Sequence, residues 1–146
     1  MLGPGYRFGQ PGTLALCSAT TAALKSVPLP CPIQGYSGIM LPVCEDHGLA
    51  EGAARGEYSI GDLLQWSAVC GVGIDTVPCP GPRRGDPVWN QRLRGAIGRL
   101  LLDMSALAFR LRKPLSCRLL PVPEKSAGDR TDFKNPYMVE SVCMPL

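Results

Sequence analysis

Residues 72–122 carry a strand–helix–strand pattern, and no other feature of the chain restricts its fold as much. Asp86-Pro87 supplies a side-chain cap and a proline at the first helical position. Trp89, Leu93, Ile97, Leu100, Met104, Leu107 and Leu111 then recur on one stripe, up to Arg112 and ahead of Pro114. Arg92, Arg94, Arg99, Arg110 and Arg112 fall off that stripe and read as a solvated face. Val72 to Val77 precedes this helix as a short apolar strand, closed by the breaker Pro78-Cys79-Pro80-Gly81-Pro82. Leu115 to Val122 follows it as a second strand, with Pro121 and Pro123 marking the exit. Two strands joined by a long helix favour parallel neighbours in an α/β sheet.

The flanking segments extend the alternation. Gly12 to Ser26 reads as a helix, with Leu14, Cys17, Thr21 and Leu24 at helical spacing, and Val27 to Pro32 as an extended linker. Tyr36 to Val43 reads as a buried strand, and Gly48 to Arg55 as a short helix stopped by Gly56. Ser59 caps a helix from Ile60 towards Ser67, with Asp62 at its third position. Gly128-Asp129 is a turn and Met138 to Met144 a last strand; Met1 to Pro11 is irregular.

The 146 residues fit one domain, 1–146. Glycine and proline make up 32 of 146 residues, so turns are many, but 45% hydrophobic residues provide a core. The net charge of +3 is scattered and aromatics are only 6%, which argues against a nucleic-acid partner. The longest apolar run, Leu100 to Phe109, is broken by Asp103, so no membrane span is expected. Seven cysteines, no Cys-x-x-Cys pair and no secretory pattern in residues 1–10 favour reduced thiols in the cytoplasm. An organelle is the alternative if the chain begins inside a longer protein.

Candidate site residues cluster first in Ser67 to Pro78. Cys70 stands beside Gly71 and Gly73, and Asp75 lies among Val72, Ile74 and Val77, where a carboxylate needs a partner. Cys70 is either a reactive thiol or a small buried hydrophobe; Asp75 is either a site residue at a strand end or the cap of a turn. Glu45 and Asp46 follow a predicted strand and could hold a divalent cation or serve as acid and base; the alternative is a solvated pair or a helix cap. Arg118, inside a strand, is either an anion clamp or the ion-pair partner of Asp75 or Asp129. Asp129 is a turn residue or a substrate contact.

Three blocks stand in order: Tyr36 to Asp46, Val69 to Asp75, and Lys113 to Pro123 with Gly128-Asp129 and Phe133. Together with Gly9-Gln10-Pro11-Gly12-Thr13 they resemble the uncharacterised family called domain of unknown function seven-eleven, also labelled pyruvate formate-lyase-like. The resemblance runs from about Phe8 to Leu146 and implies the C-terminal portion of a larger β/α barrel, of the pyruvate formate-lyase and anaerobic ribonucleotide reductase type. The missing barrel segment, or a second copy of the chain, is then the expected partner. No reaction is implied. Arg-Val-x-Gly-Tyr, the glycyl-radical signature, is absent, and Glu124 stands where the family carries a glycine.

On this footing three functions are open. One is an enzyme, or the remnant of one, acting on a small anionic metabolite. Its thiol would be Cys70, its acid/base or cation-holding groups Asp75 and Asp46, and its anion clamp Arg118, with Gly71, Gly73 and Asp129 beside the substrate and Glu45 beside the cation. The others are a non-catalytic metabolite-binding or regulatory protein and a truncated chain without a function of its own.

Overall fold

The computed structural model describes residues 3–32 and 35–146. Met1 and Leu2, the start of the segment expected to be irregular, lie outside the described residues. In chain order the elements are α1 (Thr13–Ser26), α2 (His47–Ala54), α3 (Ile60–Trp66), β1 (Gly73–Pro80), α4 (Pro87–Leu111) and β2 (Ser116–Val122). The fold is mixed α/β. Its sheet has two parallel strands, β1 and β2, paired from Gly73↔Ser116 to Pro80↔Val122, with α4 as the crossover.

The helices begin where short-range chemistry starts them. Ser59 accepts from the Asp62 N–H at 3.2 Å, and the Asp62 carboxylate accepts from the Ser59 N–H at 2.8 Å, a reciprocal capping box. Asp86 accepts from the Trp89 N–H at 2.8 Å, with Pro87 behind it. Asp46 caps α2 through the Leu49 N–H at 2.8 Å. The α1 start is tied differently: Thr13 is buried, its hydroxyl accepts from the Gly9 N–H at 2.9 Å and donates to the Gln10 carbonyl at 2.8 Å.

One core holds these pieces. Leu41, Val43, Leu49, Tyr58, Ile60, Leu63, Trp66, Ile74, Val77 and Met144 form it, with Cys17 and Met104 from α1 and α4. Phe8 closes it from the N-terminal turn, edge-on to Trp66 at 5.0 Å between ring centroids. Each fully buried aliphatic side chain contributes about 1.5–3 kcal/mol. α4 joins weakly: of its 25 residues only Leu93 and Met104 are buried, and Leu102 and Phe109 stand 70% and 88% exposed.

Three expectations need correction. Residues 36–43 form no strand. They make one parallel bridge, Pro42↔Asp75, because Gly38 takes φ +129° and Pro42 has no N–H to give a ladder. Residues 138–144 likewise make only one antiparallel bridge, Arg130↔Val142. Conversely β1 continues through the expected breaker to Pro80. The Pro78 carbonyl accepts from the Met144 N–H at 2.8 Å, so the polar side of Pro78 faces the C-terminal segment and its missing donor takes nothing from the β2 ladder.

Candidate functional site

Mid-strand, the β1–β2 register slips: Ile74 pairs with Cys117 and Val77 with Leu119, so Asp75 and Thr76 together face Arg118. This is a β-bulge, the device that re-aims side chains next to functional sites. Thr76 takes φ +43°, costly for a β-branched residue, and its buried hydroxyl has no partner among the described residues. The segment before α2 straps the bulge, with the Val43 N–H donating to the Asp75 carbonyl and the Cys44 N–H to the Thr76 carbonyl, both at 3.1 Å.

The Asp75 side chain is 2% exposed, and that of Arg118 is 54% exposed. Nε and Nη2 of Arg118 both donate to Asp75 Oδ1. The same Nη2 lies 3.8 Å from Glu45 Oε1. The bond to Asp75 raises the Arg118 pKa further, with smaller contributions from the charges of Asp75 and Glu45. A carboxylate that burial alone would make expensive is thus kept by a cation whose outer side still meets solvent. Chemically the trio can offer a guanidinium edge to an anion, with a sealed carboxylate behind it.

The other predicted residues fall elsewhere. Cys70 is buried, and its sulfur accepts from the Gly73 N–H at 3.1 Å. Gly71 donates to the Ile39 carbonyl at 2.6 Å and packs against Gly38, where an added Cβ would meet backbone at 3.1 Å. Gly73 takes φ +125° against Ser116. These three shape the turn into β1. The ammonium of Lys113 closes that turn, donating to the Ser67 carbonyl at 2.7 Å and to the Cys70 carbonyl. Burial lowers its pKa, partly offset by Cys70, and Lys25 lowers it further. Asp129 sits in an exposed turn, where its carboxylate accepts from the Ser126 N–H at 2.6 Å. Among the described residues no three His, Cys, Asp or Glu side chains converge as a metal site. Thr76 was invisible to sequence reasoning. Only its place between Asp75 and Val77 hints at it, because a bulge is written in the partner strand.

The thiols give a pH signature. Burial, with smaller contributions from neighbouring groups, pushes Cys17 up to about 11 and Cys44 and Cys79 up to about 12, from an ordinary 9.0. The folded chain therefore holds these protons more tightly than the unfolded chain. Their contribution to stability is complete below pH 9.0 and is lost as pH rises to about 12. Urea midpoints measured between pH 8 and pH 11 are expected to fall steadily above about pH 9, and Cys44→Ala or Cys79→Ala is expected to flatten that fall.

Fold and site together define a mixed α/β protein with a buried carboxylate held by a half-exposed guanidinium at a strand bulge. The chain belongs to the uncharacterised ACR family DUF711, whose family model matches residues 4–134. It is 35% identical over 133 residues to a UPF0210 protein of Pyrobaculum aerophilum, covering 90% of this chain and 28% of that protein. A UPF0210 protein of Oleidesulfovibrio alaskensis is 31% identical over 141 residues, 95% of this chain and 29% of its own length. One of Lacticaseibacillus casei is 32% identical over 127 residues, with 86% and 26% covered. The chain thus spans less than a third of the length of these curated relatives. No solved structure matches it. No helix among the described residues is long and apolar enough to cross a membrane.

Proposed function

We propose that this chain forms one wall of a larger β/α barrel of the pyruvate formate-lyase type, corresponding to the C-terminal part of its longer relatives, and that it helps bind a small anionic metabolite there for reaction. The observation that carries this reading is the Asp75–Arg118 pair at the bulge: a buried carboxylate held by a half-exposed guanidinium that Glu45 approaches at 3.8 Å. Arg118 is the anion clamp, because a planar guanidinium can hold a second oxyanion on its free edge. Asp75 is the acid/base group behind it, and Cys70 the thiol beneath the turn. The parallel two-stranded sheet supports the barrel part, since so small a sheet needs further strands to be stable.

The burial of Asp75 and Cys70, each 1% exposed, favours a second reading in which the pocket binds without reacting. Calorimetry with inorganic phosphate and with small carboxylates tests the proposal on this chain and on a full-length relative. Saturable binding that weakens at least tenfold in Arg118→Ala is the expected result. Unchanged binding in that variant sinks the clamp. Binding without product over long incubation leaves only the non-catalytic reading. Turnover by the full-length relative that survives the equivalent of Cys70→Ser removes the thiol.

A further inference from the structure

We infer that the cleft beside α2 is a second ligand site, distinct from the Asp75–Arg118 pair, and that it takes an anion with an apolar body. The cleft has a volume of about 950 Å3, within the ~300–1,000 Å3 range of sites that enclose small organic ligands. Phe8, Ile39, Met40 and Leu49 give it an apolar lining, which favours a ligand that can displace water from it.

The charged groups of the lining fall into two sets. Arg7 and Arg55 stand around Glu57, whereas Glu45 and Asp46 stand together at the start of α2. Arg55 is held at all three nitrogens: Nε and Nη2 donate to the two Glu57 oxygens at 2.9 and 3.1 Å, and Nη1 donates to Glu51 at 3.1 Å. That fork takes both oxygens of Glu57. Arg7 adds one further bond, Nη1 to Glu57 Oε1 at 3.2 Å, and its Nε and Nη2 have no side-chain or backbone acceptor among the described residues. Arg7, its side chain 67% exposed, therefore brings open N–H donors to the mouth of an apolar cleft. A carboxylate, sulfonate or phosphate oxygen is the natural acceptor for its open donors. The Asp46 carboxylate is occupied by the Leu49 N–H and Glu45 by Arg118. Their negative charge repels an anion from that end, so the ligand lies with its charge on Arg7 and its apolar part over Phe8 and Leu49.

The site has its own reporter. Phe8 lines the cleft and meets Trp66 edge-on at 5.0 Å, so a ligand that shifts Phe8 changes the indole environment. The chain has two tryptophans, and Trp89→Phe leaves Trp66 alone. In that background the chain is titrated with phenylacetate, acetate and 2-phenylethylamine and read by Trp66 fluorescence alone, which follows Phe8 in the cleft and not binding at Arg118. Phenylacetate is expected to bind saturably, and both acetate (no apolar body) and the amine (opposite charge) at least tenfold more weakly. Arg7→Ala is expected to weaken phenylacetate at least tenfold, and Arg7→Lys to restore part of the loss. Arg118→Lys is expected to leave the phenylacetate titration unchanged, which separates this site from the proposed anion clamp. Equal binding of acetate, indifference to Arg7→Ala, or no saturable signal overturns the inference. So does loss on Arg118→Lys with Arg7→Ala intact, which would assign the anion to the Asp75–Arg118 site.

Discussion

Gly73→Ala is expected to destabilise the chain by about 3–5 kcal/mol, combining backbone strain with overpacking at a site that cannot relax. Gly73 takes φ +125°, which side-chain-bearing residues rarely adopt, and an ideal Cβ there would lie 2.2 Å from the Ser116 carbonyl oxygen. That oxygen belongs to β2, paired with Gly73 in the ladder, so it cannot turn away as a side chain would. The neighbouring donor is also committed, since the Gly73 N–H goes to the Cys70 sulfur at 3.1 Å. The loss is a large share of the roughly 5–15 kcal/mol that holds a domain of this size together. Urea denaturation followed by far-ultraviolet circular dichroism measures it. Gly98→Ala is the control: Gly98 lies inside α4 with open space around its would-be Cβ, and alanine there is expected to gain about 0.5–1 kcal/mol. A Gly73→Ala variant within 1 kcal/mol of the parent would refute the close β1–β2 approach at this residue (about fivefold in the folding equilibrium).

The second large effect is asymmetric. Arg118→Ala removes the only cation bonded to Asp75 among the described residues and strands a carboxylate whose side chain is 2% exposed. Breaking a fully buried pair costs about 3–5 kcal/mol; with Arg118 itself half in solvent, about 2–3 kcal/mol is expected. Asp75→Asn removes the buried charge instead and leaves a guanidinium that water can still reach. Its cost is expected to be smaller, about 1 kcal/mol. In the double variant the two losses are expected not to add, because the stranded charge is gone. Additive losses in a denaturation cycle would show that the two side chains do not act as a pair.

Much of the helical part was legible in the chain. Ser59 with Asp62, and Asp86 with Pro87, are signals of four residues or fewer, and both helices begin where these residues lie. The stripe from Trp89 to Leu111 pointed to the side of α4 that packs, although burial is complete only at Leu93 and Met104. Glu124 shows the same legibility in reverse. The resemblance implies a glycine at this position, and Glu124 takes φ +63°, with its carboxylate accepting from the Arg84 N–H at 2.8 Å. A hydrogen bond offsets what the missing glycine would have made free.

The site was legible only as a set of residue types. Asp75 and Arg118 were both singled out, and an ion pair between them was one of the open alternatives, with Asp129 as the other partner. Nothing local chooses between two carboxylates that lie 43 and 11 positions from the arginine. The register slip does so, by setting Asp75 and Thr76 opposite Arg118. The same long-range pairing ends the expected strand at 36–43 after one bridge and carries β1 past Val77 to Pro80.

The sequence alone therefore determined the helices, the caps of α3 and α4, the two strands of the crossover and their parallel sense, because each rests on contacts within a few residues or on the reach of one connecting helix. Only the tertiary structure decided the bulge, the ionic partner of Asp75, the burial of Cys70 and the cleft beside α2. Those depend on which backbone groups meet across 40 or more residues, and the side-chain pattern of a single strand does not specify the slip of its partner.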